Sequence, residues 1–309
     1  MRVLRLGTRG SKLALWQAEY VARELSSHLA GVKIEIITIK TQGDKILDVP
    51  LAQIGDKGLF TREIENELLA GEIDFAVHSM KDMPSLMGEG LCLGAVLPRE
   101  NPRDVLISAH DYSLGTLPAG AVIGTSSLRR IAQLKALRPD INLVDMRGNV
   151  ETRIRKMEEQ GLDGIILAYA GVKRLGFEHR INELITVEDI LPAVGQGAIA
   201  IELRAEDIET AQLINAINDT GTWLETTAER AFLARLEGGC QVPIACLAQT
   251  FGRRLKIHGL IASLDGSRVY KASTECDFSD IECSGRQLAE KLLDMGAGQI
   301  LAEIKLLGD

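Results

Sequence analysis

Aromatic residues are scarce in this chain: Phe, Tyr and Trp together make up 4% of its 309 residues. A surface built to stack nucleobases needs more of them. The formal net charge of -8 points the same way, because a nucleic-acid binder usually carries a basic footprint. No apolar run is long enough to cross a bilayer. Met1-Arg2-Val3-Leu4-Arg5-Leu6 alternates like a short strand and lacks the apolar stretch of a signal peptide, so the cytoplasm is the expected compartment. The five cysteines are Cys92, Cys240, Cys246, Cys276 and Cys283. They contain no C-x-x-C pair and fit no common zinc spacing, so no metal is expected. The ordinary reading of each is a reduced thiol that packs like a small apolar side chain. Repeats and low-complexity segments are missing too.

Hydrophobic residues make up 46% and charged residues 25%, enough for two or three domains with cores of their own. Strand-like and helix-like stretches alternate through the first two thirds of the chain. Residues 13–29 have helical apolar spacing, with Ser11 as N-cap, and 32–40 alternate as a strand. A helix over 58–69 and a strand end at 74–77 follow. Pro98-Arg99-Glu100-Asn101-Pro102 reads as a linker. Beyond it, strands at 121–124, 142–146 and 164–169 alternate with helices at 128–137 and 150–159. A further strand, 199–203, follows the Gly195-Gln196-Gly197 break. This pattern predicts α/β domains with largely parallel sheets. From about Asp219 the character changes to a small α+β unit. It is expected to hold a helix over 223–236, alternating segments 255–262 and 268–273 around an Asp265-Gly266 turn, and one last helix over 287–304.

Five segments concentrate polar chemistry. Thr8-Arg9-Gly10-Ser11 precedes a helix, whose first N–H groups attract anions. The plain alternative is a capped helix with a solvated arginine. Gly124-Thr125-Ser126-Ser127-Leu128-Arg129-Arg130 lies where a strand gives way to a helix, the usual ligand end of an α/β sheet. It lacks the Gly-Lys-Ser/Thr of a nucleotide-phosphate loop. Met146-Arg147-Gly148-Asn149-Val150-Glu151-Thr152-Arg153 repeats that position. From Thr125 to Arg155 the net charge is about +4 by count of side chains, within a chain of net -8. Arginine predominates, which suits bidentate binding of carboxylates or phosphates; the alternative is a solvated helix face. Val77-His78-Ser79-Met80-Lys81-Asp82-Met83-Pro84 closes a strand. Asp82 reads either as a salt-bridged loop residue or as an ionised carboxylate that stabilises a cation and exchanges protons. Glu237-Gly238-Gly239-Cys240-Gln241-Val242-Pro243 places a cysteine after two glycines at a helix end. That setting suits a reactive or modified thiol better than a buried one.

These segments, with Gly58-Leu59-Phe60 and Leu191-Pro192-Ala193-Val194-Gly195-Gln196-Gly197, together resemble the porphobilinogen deaminase family. They occur in family order from residue 8 to residue 243. The resemblance implies two domains like halves of a periplasmic-binding protein, with mixed, largely parallel sheets, plus a small C-terminal α+β domain. The implied divisions are 1–98 with 196–217, then 99–195, then 218–309. The chain would cross between the first two near 98–103 and again near 191–196. The family joins four porphobilinogens head to tail on a dipyrromethane primer and releases ammonia and hydroxymethylbilane.

By resemblance, the primer is attached by a thioether to Cys240, and Asp82 is the catalytic carboxylate. Lys81, Thr125, Ser126, Ser127, Arg129 and Arg130 would hold cofactor carboxylates. Arg9, Ser11, Phe60, Arg147, Gly148, Arg153, Arg174 and Gln196 would contact substrate or the growing chain, with Phe60 stacking and Gln196 at the cleft or hinge. Residues 42–57 look like a lid, in which Gln53 stands where many relatives have lysine and Lys57 keeps its match. A monomer is implied, without nucleic acid or membrane as partner. Two rival readings are a ligand receptor without catalysis and a nucleic-acid binder that uses the 125–155 cluster.

Overall fold

The structure is a computed structural model and describes residues 2–29, 31–45, 61–237 and 242–308. The chain begins with β1 (Arg2–Arg9), α1 (Lys12–His28), β2 (Val32–Ile39), α2 (Gln42–Lys45), α3 (Arg62–Leu69), β3 (Phe75–Ser79) and β4 (Leu91–Val96). It then leaves this lobe. A second lobe holds β5 (Asp104–Ser108), β6 (Val122–Gly124), α4 (Leu128–Leu137), β7 (Asn142–Val144), α5 (Val150–Glu159), β8 (Gly164–Ala168), α6 (Tyr169–Arg174) and β9 (Glu183–Leu184). The chain returns to the first lobe as β10 (Ile199–Arg204) and α7 (Ile208–Ile214). A third unit follows with α8 (Thr220–Arg235), β11 (Ile244–Phe251), β12 (Arg254–Ala262), β13 (Val269–Asp277), α9 (Ile281–Leu292) and α10 (Gly298–Gly308).

The two lobes share one topology. The first sheet runs β2-β1-β3-β10-β4 and the second β7-β6-β8-β5-β9. In each, the fourth strand is the one that has just crossed from the other lobe. It pairs antiparallel on both sides, as β10 does with β3 and β4 and β5 with β8 and β9. The other four strands of each sheet share one direction, so both sheets are mixed but largely parallel. The C-terminal sheet is a three-stranded antiparallel meander, β11-β12-β13, covered by α8 and α9. The expected α/β class, two lobes with mixed, largely parallel sheets and a small C-terminal α+β unit, is the class observed.

Local sequence accounts for most elements. Ser11 caps α1 by accepting from Ala14 N at 3.3 Å, and Val21 and Leu25 enter the first core beside Leu6 and Phe75. Full burial of one such side chain contributes about 1.5–3 kcal/mol. Asp219 caps α8 through Thr222 N at 2.7 Å. The last helix differs from expectation. It starts at Ile281 and breaks around Gly296, whose φ of 112° is a left-handed value that a continuous helix does not contain. A Cβ there would also come within 2.9 Å of Tyr270 Oη.

The two crossings run side by side. Glu100 N donates to Gly197 O at 3.2 Å, and a Cβ on Gly197 would fall 2.2 Å from Glu100 O. Only glycine permits that approach, and its φ of 93° favours glycine as well. Both crossings are tied to α8 by Glu229, which is fully buried. Its carboxylate accepts from Arg99 Nη1 at 2.6 Å, Gly195 N at 2.6 Å and Ala248 N at 2.8 Å. Arg99 also donates through Nε to Gln196 O at 2.9 Å. Removing one partner of a buried pair strands the other charge and costs about 3–5 kcal/mol. Glu229→Ala is therefore expected to lower the melting temperature by on the order of 10 °C, read by calorimetry. A change of less than about 2 °C would show that the crossings do not depend on this carboxylate.

Candidate active site

The C-terminal ends of β1 and β3 open onto one crevice, lined by Arg9 and Ser11 from the start of α1 and by Ser79 and Asp82 after β3. Gln17 and Thr61 complete its floor. Gln17 is buried and donates through Nε2 to Ser79 Oγ at 2.9 Å. Thr61 Oγ1 is buried without a partner among the described residues. Asp82 ends a single 3-10 turn, Met80–Asp82, and is exposed to the cleft. No ion pair of Asp82 falls among the described residues. Lys81 beside it is half-buried. Burial pushes its ammonium down to about 8, and the Arg130 and Arg129 guanidiniums push the same way against Asp82 and Asp104.

The second lobe supplies the opposite wall. Ser126 Oγ donates to Met146 O at 2.8 Å and accepts from Met146 N at 3.0 Å, joining the ends of β6 and β7. Thr125 is buried, and its hydroxyl accepts from Ser127 N at 3.3 Å. Ser127 occupies the N-cap of α4 but makes no side-chain capping bond. Gly148 has a φ of 121°, and a Cβ there would sit 2.8 Å from Thr152 Cγ2. Its carbonyl accepts from Arg153 Nε at 2.7 Å. Burial, with Arg130 and Arg147 nearby, lowers Arg153 to about 10, while Asp145 and Asp82 act in the opposite sense. Arg153 on the second lobe and Asp82 on the first thus lie in each other's field. Arg147 is half-buried at the same strand end.

Two expected ligand arginines turn inward. Arg129 Nη1 donates to Asp104 Oδ2 and to Leu191 O, both at 2.8 Å. Arg130 Nη2 donates to Asp104 Oδ1 and its Nη1 to Ile166 O, again at 2.8 Å. Burial alone would raise the Asp104 carboxyl, but the two guanidiniums hold it well below the ordinary carboxylate range. Arg130 Nε is buried without a partner among the described residues. Gln196 is also internal. Its Nε2 donates to Pro102 O at 2.6 Å and to Asp104 Oδ1 at 2.8 Å. Arg174 donates to Gly197 O at 2.7 Å and lies over the Trp16 ring at 5.7 Å, between the lobes. Burial lowers it to about 10. Phe60, Cys240, Gln53, Lys57 and the rest of the expected lid beyond residue 45 lie outside the described residues.

The sequence reading did not single out Asp104 or Gln17. Gln17 was findable, being a polar residue on the apolar stripe of α1 that Ala18, Val21 and Leu25 define. Asp104, at the head of the apolar strand Val105-Leu106-Ile107, carried a similar mark.

Residues 4–212 match the family model described as porphobilinogen deaminase, dipyromethane cofactor binding domain, and residues 223–294 match the porphobilinogen deaminase C-terminal domain. The chain belongs to the porphobilinogen deaminase family. It is similar to the porphobilinogen deaminase of Syntrophomonas wolfei, at 61% identity over 99% of this chain and 100% of that one. The porphobilinogen deaminase of Moorella thermoacetica is 54% identical over 98% of this chain and 96% of its own. The periplasmic VFT2 domain of Bordetella pertussis BvgS is similar over 70% of this chain and 86% of that chain, at 14% identity and a TM-score of 0.42. As a porphobilinogen deaminase, the chain is a transferase of tetrapyrrole biosynthesis that polymerises porphobilinogen and uses a dipyrromethane cofactor.

The donor set fits such a group. Lys81 on one side of the cleft and, on the other, Arg130 Nε without a hydrogen-bond partner and Arg153 without an ion pair among the described residues leave the cleft short of anions. A pyrrole pair bearing acetate and propionate groups would supply them. The lowered Lys81 gives a pH test. A lysine whose folded pKa lies below its unfolded one costs stability while charged; the cost is full below about 8 and is relieved as pH rises from there to the unfolded value of about 10.4. In cofactor-free protein one lysine ammonium is expected to titrate near pH 8 by nitrogen-15 NMR and to be missing from Lys81→Arg. Carboxylate occupants should raise that value. A spectrum with every lysine titrating above about 10 would refute the assignment.

Proposed function

We propose that Asp82 is the proton-handling carboxylate of this porphobilinogen deaminase and that Cys240 carries the dipyrromethane through a thioether. The observation that carries this reading is the placement of the exposed carboxylate Asp82 beside Lys81 and across the cleft from Arg153 and Arg130 of the second lobe. Ammonia leaves the aminomethyl carbon of porphobilinogen as the C–N bond breaks, and positive charge develops on that pyrrole. A carboxylate beside the ring stabilises the charge and takes the proton that leaves the attacking pyrrole carbon of the chain end once the new C–C bond has formed. When bound, the dipyrromethane supplies the free pyrrole carbon on which the chain starts.

Lys81, Ser127 and the Nε edge of Arg130 would hold cofactor carboxylates. Thr125, Ser126 and Arg129 support them, since their polar atoms are already engaged inside the second lobe. Arg9, Ser11, Arg147, Gly148 and Arg153 would face the incoming ring and the growing chain, and Phe60 would stack near it. Arg174 and Gln196 serve the hinge, on the strength of their bonds to Gly197 and Asp104. The three-domain division at 1–98 with 196–217, 99–195 and 218–309 follows the three sheets. A cytoplasmic monomer that binds no nucleic acid is consistent with the acidic charge and scarce aromatics. Among the described residues no helix is long and apolar enough to cross a membrane.

Intact mass under denaturing conditions tests the tether. The expected excess is that of two condensed porphobilinogen units, absent from Cys240→Ser. A fully active, unmodified chain would overturn it. Asp82→Asn is expected to keep the adduct while turnover falls by about 10²- to 10⁴-fold. Turnover within about threefold of the parent would remove Asp82 from the chemistry.

A further inference from the structure

Asp82 sits on a turn whose start is anchored in the first sheet, where Met80 N donates to Ala198 O at 3.0 Å. The segment after it, Met83-Pro84-Ser85, has no strand to hold it. It is held instead by the third unit. Arg230 on α8 donates through Nη1 to Pro84 O at 2.9 Å and through Nη2 to Ser85 O at 3.1 Å. Its guanidinium also lies 4.0 Å from Met80 Sδ. No carboxylate lies within ion-pair distance of Arg230 among the described residues. Glu202 is near enough to favour the charge, and burial opposes it. A mostly enclosed guanidinium whose hydrogen bonds go to two consecutive carbonyls is a poor way to gain stability. It is a good way to fix a turn, because the planar fork sets both carbonyls at once.

The same helix face adds an apolar contact. Trp223 lies two turns before Arg230 and packs against the cluster of Met80, Met83 and Ala198. Glu229, adjacent to Arg230, holds Gly195 N, and Gly195 lies so close to the turn that a Cβ would fall 2.3 Å from Met80 Cγ. The backbone under Asp82 is therefore gripped by α8 directly and through the second crossing. That helix ends at Arg235 and leads in sequence to Cys240.

We propose that Arg230 is a positioning residue for the reaction: it fixes the turn of Asp82 from the helix that precedes the cofactor cysteine. The proposal rests on Asp82 as the proton-handling carboxylate. Arg230 itself touches no reacting atom. It acts by keeping the carboxylate at one distance from the chain end, where a displacement of about 1 Å can cost on the order of 100-fold in rate.

The test is a double-mutant cycle on holoenzyme whose cofactor content has been verified by intact mass. Arg230→Met keeps the apolar stem and removes the fork. It is expected to retain the adduct and to lower kcat by about tenfold or more, with KM within about threefold. Arg230→Lys, which restores one donor, should recover part of kcat. In an Asp82→Asn background, Arg230→Met should add less than about twofold, because the two residues act through one group. An unchanged kcat in Arg230→Met would overturn the proposal. So would a loss of the same size in the Asp82→Asn background. If Asp82→Asn alone is nearly as active as the parent, the role of Asp82 falls instead, and that result is distinct from both. Should Arg230→Met fail to fold, Arg230→Lys carries the test: a fall in kcat at unchanged KM supports the proposal and parental kcat overturns it.

Discussion

A single buried carboxylate, Asp104, makes the cationic wall of the cleft possible. It stands at the first residue of β5, the strand that reverses direction in the second sheet, and it is fully enclosed. Two guanidiniums from the first turn of α4 converge on it, beside the positive end of that helix's dipole. One negative charge does not balance them, but it is enough to let Arg129 and Arg130 be buried at all. Gln196 adds an amide donor to the same oxygen that Arg130 uses, so β5, α4 and the second crossing meet at one group. The deficit of negative charge that remains faces Lys81 and Arg153. A polycarboxylate pyrrole chain is the class of ligand that such a wall recognises.

The inward turn of Arg129 and Arg130 shows where sequence reading stops. The motif around them, its place between a strand and a helix, and its arginine richness were all legible. α4 itself was predicted with its observed bounds. The direction of the two side chains depends on a partner 25 and 26 residues away, and nothing in helical periodicity marks an arginine as internal. Arg174, expected by resemblance to contact substrate, meets the same limit and bonds where the two crossings run together; Gln196, expected at the cleft or the hinge, is used at that same place. Local signals fared better. The cap expected at Ser11 stands where α1 begins, accepting from a backbone N–H of the first turn; Asn149 and Asp219 cap α5 and α8 in the same way. The last helix was misread as continuous because Gly296 alone is a weak stop. Its left-handed φ becomes visible only with Tyr270 packed against it.

The repeated strand order has a mechanical consequence. Each crossing feeds the inserted, antiparallel strand of the sheet it enters, so the crossings are continuous with the interior of both lobes. Glu229 holds both crossings to α8, and Asp104 binds the second crossing to α4. The two crossings are thus fastened by two buried carboxylates, one from the third unit and one from the second lobe.

That arrangement accounts for a third unit that belongs to neither lobe. An enzyme that lengthens a tethered chain ring by ring must keep one reacting position while the cleft takes up more product. The proposed tether at Cys240 lies on neither lobe. The helix α8 grips the crossings through Glu229 and the Asp82 turn through Arg230, and its sequence runs on toward Cys240. Chain growth can then be accommodated on the cation-rich side, where binding is electrostatic and tolerant of position. If Asp82 handles the proton as proposed, the step that is intolerant of position, proton transfer at about 2.6–3.2 Å, stays on the side that α8 holds.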